Sequence, residues 1–320
     1  MRKKSVLIGM LMIMCIFYIF CKTEYVQAAT DFTSVHAGDW VTEENVRTVN
    51  GTKFKLKDTG GFFRSRKKLY ATRNNKTWLL ASSDGVKDDL CNRIFTDGKT
   101  VYYVKKTYRN SLDGTRRLAN RFKIYRVKLG KKSKLLDSVK ARNVAADSDF
   151  GILGIESGRI YFEDWNKVYC YSLKSKKYEE MNLEANSSNG KARQYKHYIF
   201  IWNWRYSNVG TLDIINAKKK KVVKTINKVN GTVNRAQSKR NGIYDIISGK
   251  LYYLEFKKEG GYDSFAGSYD YAAVKRCNLD GSKDVTLVKK ITVAEAKPVI
   301  LKKHSITYYD GRGKKRTKKF

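Results

Sequence analysis

The residues that could carry out chemistry in this sequence are few and widely spaced. Its three histidines, His36, His197 and His304, lie more than a hundred residues apart and form neither an HExxH nor a His-x-His pattern. Zinc binding and metalloprotease chemistry require ligands at short, defined spacings. The stretch nearest to the GxSxG turn of serine hydrolases, "GYDSFAG" at 261–267, does not match it. We therefore expect no metal, no cofactor and no serine-hydrolase site.

Acidic residues are the remaining candidates for catalysis, because most glycosidases need two carboxylates that the fold brings together. Asp164, Asp245 and Asp263 are the candidates, although such residues are far more often turn or solvated side chains. The segment "LDGSKD" at 279–284 has two carboxylates, whereas calcium takes six or more oxygen ligands. A carbohydrate-active enzyme is therefore the alternative to a binding protein.

Aromatic residues are concentrated in "IFIWNWRYSN" at 199–208. Residues two apart in a strand share a face, so Trp202, Trp204 and Tyr206 point to one side together with Phe200. Such a face is typical of the packing between sheets. The alternative is a stacking surface for sugar rings.

Basic residues dominate the charge, with a formal net charge of +36, and many lysines stand in short polar segments between apolar runs. A charge of this size predicts attraction to polyanions that weakens with salt. The candidate polyanion-binding residues are Lys131, Lys132, Lys134, Lys174, Lys176, Lys177, Lys218, Lys219, Lys220 and Lys221.

Two inserts, 107–121 and 260–274, are longer than a hairpin needs. Long loops carry function more often than strands do. The candidate ligand-contacting residues in these inserts are Tyr108, Arg116, Arg117, Tyr262, Asp263, Phe265, Tyr269 and Tyr271.

The N-terminus predicts export. Three basic residues precede an apolar run at 6–20, and small residues follow around Ala28 and Ala29. This order is typical of a cleaved signal peptide, so we expect residues 1–28 to be removed and 29–320 to form one domain. Cleavage would remove four basic residues and one acidic residue, which leaves +33. The alternative is an uncleaved membrane anchor.

Three cysteines remain after such cleavage, Cys91, Cys170 and Cys277, at long spacings. An odd, scattered set does not form a disulfide framework, so we expect one pair at most. A chain of about 290 residues is long enough to bury a core without disulfides.

Two patterns recur along the chain and indicate β-structure. Strands with alternating aromatic residues follow a Gly or Lys turn at 97–106, 157–165, 196–204, 248–256 and 303–311. Hairpins with a polar turn occur at 68–82, 123–138, 167–181, 211–225 and 274–288. The hairpins recur every forty to sixty residues, which leaves room for about four strands in each repeat.

Repeated four-stranded sheets with little helical periodicity predict an all-β fold, a six-bladed β-propeller of antiparallel blades. Five blades begin near Trp40, Cys91, Phe150, Lys191 and Asn241, and the sixth begins near Pro298. We expect residues 31–36 to supply its missing outer strand and close the ring. The lysine turns would then form a cationic ring on one face, opposite the two long inserts.

The segment "VKRCNLDGSKDVTLV" at 274–288 resembles the "LDGS" hairpin of the YWTD propellers of low-density-lipoprotein-receptor-related proteins. It is more similar still to bacterial secreted β-propeller domains of unknown function, in which strands such as "SGKLYYLEF" at 248–256 precede "NLDGS" hairpins. The resemblance is clear over 248–288 and partial over 97–181. No Tyr-Trp-Thr-Asp sequence is present. The resemblance implies a six-bladed propeller with a binding role and no enzymatic activity.

We therefore expect a secreted, monomeric binding module that a basic face retains on anionic cell-wall or surface polymers. The opposite inserts would contact a secreted or surface protein or a glycan. No RNP, KH or helix-turn-helix signal predicts specific nucleic-acid binding.

Overall fold

The computed structural model describes residues 31–36, 46–59, 66–110, 117–141, 150–164, 167–184, 191–206, 209–230, 244–263, 267–294, 299–302, 304–310 and 312–319. For residues 35–36, 46–47, 117, 191, 204–206, 262–263, 267–268 and 301, the description covers the backbone alone. The predicted signal peptide lies outside the described residues.

The described residues form twenty-four β-strands and no helix. None of these residues therefore belongs to a helix long and apolar enough to cross a membrane. The strands are β1 (Asp31–His36), β2 (Val46–Val49), β3 (Thr52–Asp58), β4 (Lys67–Arg73), β5 (Lys76–Ser82), β6 (Asp88–Thr96), β7 (Thr100–Asn110), β8 (Arg117–Lys128), β9 (Lys134–Lys140), β10 (Phe150–Glu156), β11 (Arg159–Asp164), β12 (Lys167–Ser172), β13 (Tyr178–Glu184), β14 (Lys191–Tyr195), β15 (Tyr198–Tyr206), β16 (Val209–Asn216), β17 (Lys221–Asn230), β18 (Tyr244–Ile247), β19 (Lys250–Asp263), β20 (Gly267–Asn278), β21 (Val285–Ala294), β22 (Ile300–Lys302), β23 (Ser305–Tyr309) and β24 (Lys315–Lys319).

After β1, the strands pair with their sequence neighbours in six antiparallel groups. Groups one to five are β2–β5, β6–β9, β10–β13, β14–β17 and β18–β21, with four strands each, and group six is β22–β24. The aromatic strands predicted from the sequence are the second strands of groups two to six. The predicted polar hairpins join the third and fourth strands of groups one to five.

The hydrophobic core lies between successive groups. Each of five buried clusters draws its residues from two consecutive groups, from one and two through to five and six, and the cluster between groups two and three also includes Phe32 of β1. Alternation along a strand makes this possible: Tyr102 faces group three, whereas Tyr103 faces group one. The sheets therefore stack face to face in chain order, and the fold is all-β and propeller-like. Within the described part of the chain, the sheets do not close into a ring.

Turn chemistry explains why the strands reverse where they do. The turns between first and second strands contain Asn50-Gly51, Ser157-Gly158 and Ser248-Gly249, all with positive φ. This conformation suits the tight turns of β-hairpins. An Asp-Gly sequence such as Asp280-Gly281 is typical of such a pair, but here only Gly281 of the two has positive φ, at 78°. The Asp280 carboxylate instead accepts hydrogen bonds from the Ser282 amide at 2.9 Å and hydroxyl at 2.6 Å.

The turn between strands one and two and the turn between strands three and four lie at the same end of each group. In group two the amide of Leu129 donates a 3.0 Å hydrogen bond to the carbonyl of Lys99. Leu173 donates to Gly158 in group three at 3.0 Å, and in group four the bond at this position is 2.8 Å long. The connections between second and third strands therefore lie at the opposite end.

The N-terminal strand does not complete the last group, so this part of the predicted fold is wrong. β1 pairs with β14 on one side and with β6 on the other, between the first strands of groups four and two. Phe32 stacks on Phe95 with ring centroids 5.0 Å apart, and it is only 4% exposed. Asp31 pairs with Arg193 on β14. Burial of the Phe32 side chain helps to hold β1 between these first strands, and so does the ion pair between Asp31 and Arg193.

Candidate functional site

All ten candidate lysines are exposed, and they lie in or beside three corresponding turns. These turns join β8 to β9, β12 to β13 and β16 to β17, which are the third and fourth strands of groups two, three and four. We call this set of ten residues the lysine turns. Their position follows from the sequence, because each run of lysines separates two segments in which apolar residues alternate as they do in strands.

Each of these turns packs against the fourth strand of the preceding group. The Ser133 hydroxyl donates a 3.2 Å hydrogen bond to the carbonyl of Leu80 on β5. In the next turn, Lys176 Nζ lies 2.7 Å from Asp137 Oδ2 on β9. In the third, Lys220 Nζ lies 3.4 Å from a carboxylate oxygen of β13. In three consecutive groups, a residue of the turn thus contacts the fourth strand of the preceding group. The lysine turns therefore form a series along one side of the stacked groups.

Two of these ten lysines occupy a backbone conformation that usually belongs to glycine. Lys176 has a φ of 60° and Lys220 a φ of 53°. The matching turns of groups two and five have Gly130 and Gly281 at positive φ. A β-carbon makes this region unfavourable, so lysine is not the residue that the turn alone would favour.

Most of the ten lysines in these turns have no carboxylate partner among the described residues. Lys176 and Lys220 form the two ion pairs described above. For the other eight lysines, no carboxylate lies within ion-pair distance among the described residues. The turns therefore present a row of uncompensated positive charge to solvent.

The two long inserts are β-hairpins, not irregular loops. β7 and β8 remain paired as far as Asn110 and Arg117, and β19 and β20 as far as Asp263 and Gly267. Because they join second and third strands, both hairpins lie at the end away from the lysine turns. Arg116 and Phe265 lie outside the described residues, as do the side chains of Arg117, Tyr262 and Asp263.

Lysine side chains lie over two of the described tyrosines of these hairpins, Tyr271 and Tyr108. Tyr271 has Lys290 Nζ at 4.2 Å and Lys258 Nζ at 5.6 Å from its ring centroid. Its ring also meets that of Tyr269 edge to face, with the centroids 5.6 Å apart. Tyr108 similarly lies below Lys106 Nζ at 5.6 Å. These tyrosines contribute to cation–π contacts that stiffen each hairpin.

The structure does not support Trp202 as a stacking residue. Its side chain is 3% exposed and belongs to the core between groups four and five. A ligand cannot stack on a ring buried this deeply, so packing between sheets is the interpretation that fits. The side chains of Trp204 and Tyr206 lie outside the described set.

The structure places the side chains of two of the three candidate acids, Asp245 and Asp164, and Asp245 forms an ion pair. Asp245 Oδ1 accepts a 2.8 Å hydrogen bond from Arg193 Nη1, and the other edge of the same guanidinium binds Asp31. Burial lowers the pKa of Arg193, but its two carboxylate partners outweigh this effect and raise it. Asp164 is 4% exposed, at the end of β11. The Asp263 side chain lies outside the described set.

Sequence reasoning missed the arginines that join the first strands to their neighbours. Arg93 on β6 makes a 2.6 Å ion pair with Glu163 on β11, and the two side chains are 2% and 1% exposed. The chain passes close to this pair at Gly151, where a β-carbon would overlap the Arg93 side chain. The available signal was an arginine inside an otherwise apolar first strand, as in "LCNRIFT" at 90–96.

The described residues offer no candidate site for metal binding or for thiol chemistry. No three histidine, cysteine, aspartate or glutamate side chains are placed there to hold a metal ion. Cys91, Cys170 and Cys277 are buried. Burial raises the pKa of Cys277 to about 12, and the nearby carboxylates of Asp284 and Asp280 act in the same direction.

Comparison with known proteins gives neither a family nor a curated relative: no family profile matches the chain, and no curated protein matches it. Among solved structures, an uncharacterized protein of Listeria monocytogenes aligns over 88% of this chain and 97% of its own, at 8% identity and a TM-score of 0.35. Prolyl oligopeptidase B of Galerina marginata aligns over 87% of this chain and 38% of its own, at 9% identity and a TM-score of 0.40. TolB of Acinetobacter baumannii aligns over 77% and 53%, at 11% identity and a TM-score of 0.34. The resemblance of 248–288 to receptor-type propeller repeats stays a prediction from the sequence.

Proposed function

We propose that this protein is a non-enzymatic binding module that attaches to anionic polymers of the cell envelope through the lysine turns. One observation carries the proposal: three consecutive groups present exposed lysines at corresponding turns on one side, and eight of the ten have no carboxylate partner among the described residues. A protein that needed charge only for solubility could scatter it over all surfaces.

The turn conformation adds a second argument. Lysine at positive φ costs about 1–2 kcal/mol relative to glycine, and Lys176 and Lys220 both adopt this conformation. In the matching turns of two other groups, glycine is among the residues with positive φ, at Gly130 and Gly281. Lysine at these two positions therefore places a charge where the backbone alone would favour glycine.

The envelope enters the proposal through the N-terminal sequence, which predicts export. Outside a bacterial membrane the abundant polyanions are wall-linked phosphate polymers and acidic polysaccharides. A row of ammonium groups binds both through charge, so binding should fall steeply as salt rises.

Sedimentation with cell walls tests this function. Purified protein should pellet with native walls at low salt and stay in solution with walls stripped of anionic polymers. The informative variant replaces Lys218, Lys219 and Lys221 with glutamine. Its control replaces three exposed lysines of β3, Lys53, Lys55 and Lys57, and so removes the same charge elsewhere. If both variants bound cell walls equally weakly, binding would depend on the net charge of the protein and not on the lysine turns.

Closure into a six-bladed ring is the finer part of the proposed fold. It is supported by the face-to-face stacking of six groups in chain order. Spin labels at Lys76 on β5 and Thr317 on β24 would test it by pulsed electron resonance. A ring predicts one narrow distance distribution, whereas an open stack predicts a broad one.

A carbohydrate-active enzyme is the second candidate, because Asp31 and Asp245 share the guanidinium of Arg193 and remain 34% and 26% exposed. Two carboxylates this close are the minimum for glycoside hydrolysis. The test is whether the protein releases reducing sugar from wall polysaccharide. Release by the parent protein that the Asp245→Asn variant loses would favour this function over binding alone.

A further inference from the structure

The last strand, β24, occupies a position that another strand covers in every other group. The antiparallel pairing of β22 with β23 places them as first and second strands of group six, so β24 corresponds to a third strand. The third strands β4, β8, β12, β16 and β20 each pair with a fourth strand. Among the described residues, β24 pairs with β23 alone.

The side chains of β24 are unlike those of the other third strands. All five of its residues are exposed, whereas seven of the eight residues of β16 are buried. Four are basic and sit on both faces of the strand: Lys315 and Lys319 on one face, and Arg316 and Lys318 on the other. One acidic partner is present, Asp310, whose Oδ2 lies 3.0 Å from Arg316 Nε.

Lysine on an edge strand prevents pairing with neutral or basic strands, because the incoming strand would bury or oppose its charge. The same residues favour an acidic strand, since opposite charges directly across a ladder attract. Main-chain hydrogen bonds would provide affinity, and the alternating side chains would provide specificity. A second copy of this chain is a poor occupant, because two molecules with a net charge of +36 each repel one another.

We propose that the edge of β24 that is unpaired among the described residues binds an extended acidic segment of a partner protein, which adds to group six as a fourth strand. This interaction is separate from the attachment of the lysine turns to polymers. It needs backbone amides in a strand, not charge alone.

A pair of synthetic peptides separates strand addition from simple charge attraction. The first alternates glutamate and threonine over eight residues, and the second has the same sequence with every internal amide N-methylated. We expect the first to bind at least tenfold more tightly than the second and to slow hydrogen exchange of the outward-facing amides of β24. Equal affinity for the two peptides would overturn the proposal. So would β24 amides that are already protected without peptide, because the edge would then be covered.

Charge reversal then locates the site. The variant Lys315→Glu with Lys319→Glu should lose binding of the acidic peptide. The matched control, Lys53→Glu with Lys57→Glu, changes the net charge equally at exposed positions of β3 and should keep it. The Lys218, Lys219 and Lys221 glutamine variant should also bind the peptide normally, so failure of either proposal is recognised independently. Self-association in sedimentation velocity that the β24 variant abolishes would instead identify a second copy as the occupant and overturn the acidic-partner proposal.

Discussion

Lys176 Nζ lies 2.7 Å from Asp137 Oδ2, and this contact joins the turn of one four-stranded group to the outer strand of the group before it. Lys220 and Glu179 repeat the relationship one group later at 3.4 Å. The lysine of each pair is at least two-fifths exposed, at 58% and 42%. Each pair can therefore stabilise the stacking slightly while the lysine remains accessible to an anionic ligand.

The double variant Lys176→Gly with Lys220→Gly should separate folding from binding. Glycine relieves about 1–2 kcal/mol of backbone strain at each position, while an ion pair with a largely exposed lysine contributes about 0–1 kcal/mol. We expect an unchanged or slightly higher free energy of unfolding in urea, together with weaker sedimentation with cell walls. Alanine at the same positions removes the charge and keeps the strain, so it should weaken both properties. A glycine variant that binds walls like the parent protein would contradict a role for these two charges.

Asp137 should make stability depend on acid. Burial raises its pKa, but hydrogen bonds from Lys176, the Ser138 amide and the Tyr171 hydroxyl outweigh burial and hold the pKa below its usual range. A carboxyl group with a lowered pKa stabilises the fold above the unfolded value of about 3.9, and this contribution is lost as pH falls through the lower folded value. Asp137→Asn should therefore be less stable than the parent at pH 7, with a difference that shrinks below pH 4.

Urea unfolding at pH 7, 5 and 3 measures this dependence. Tyr171→Phe removes one hydrogen bond to the same carboxylate, at 2.8 Å, and should show a smaller effect of the same sign. A stability difference between Asp137→Asn and the parent that stays constant down to pH 3 would rule out the ionised carboxylate as its source.

Glu163 should be among the residues most sensitive to substitution. Its ion pair with Arg93 is almost fully buried, and loss of one partner from a buried pair costs about 3–5 kcal/mol because the other charge is left uncompensated. Glu163→Ala should lower the free energy of unfolding by that amount. The matched control is Glu180→Ala, since the Lys167 to Glu180 pair is exposed on both sides and should cost at most about 1 kcal/mol.

A double replacement tests the reason for that sensitivity. Arg93→Leu combined with Glu163→Leu removes both charges and keeps apolar volume between groups two and three. Buried pairs replaced in this way often leave stability unchanged, so the double variant should be more stable than Glu163→Ala. If it is as unstable as the single variant, the shape of the site matters more than its charge.

Local patterns account for the parts of the fold that could be predicted from the sequence. The strand at 250–263 follows Ser248-Gly249, whose positive φ is typical of a hairpin turn, and its alternating side chains indicate strand structure without knowledge of any partner. The first group was harder to recognise. Its second strand begins Thr52-Lys53-Phe54, without the paired aromatic residues of the other repeats.

The parts of the fold that could not be predicted depend on contacts between residues far apart in the sequence. Asp31 and Arg193 are 162 residues apart, and Arg93 and Glu163 are 70 apart. Which first strand accepts β1 depends on how distant sheets stack, and no local turn or periodicity encodes that choice. The same limit applies to Trp202, whose alternation with Trp204 shows which residues share a face but not whether the next group covers it.

The three buried cysteines should be unreactive in the folded protein and reactive once it unfolds. The thiolate is the reactive form, and burial raises the pKa of Cys170 and Cys277 above the usual range. Neutral thiols are thus favoured in the fold, so stability associated with them is retained up to the unfolded pKa of about 8.5 and lost as pH rises further. Labelling with a chromogenic disulfide at pH 8 should reach Cys91, Cys170 and Cys277 only in urea, with a native rate that follows global unfolding. Rapid modification of one thiol without denaturant would mean that the sheets around that cysteine separate locally, and labelling of Cys170→Ser and Cys277→Ser variants would show which pair of groups opens.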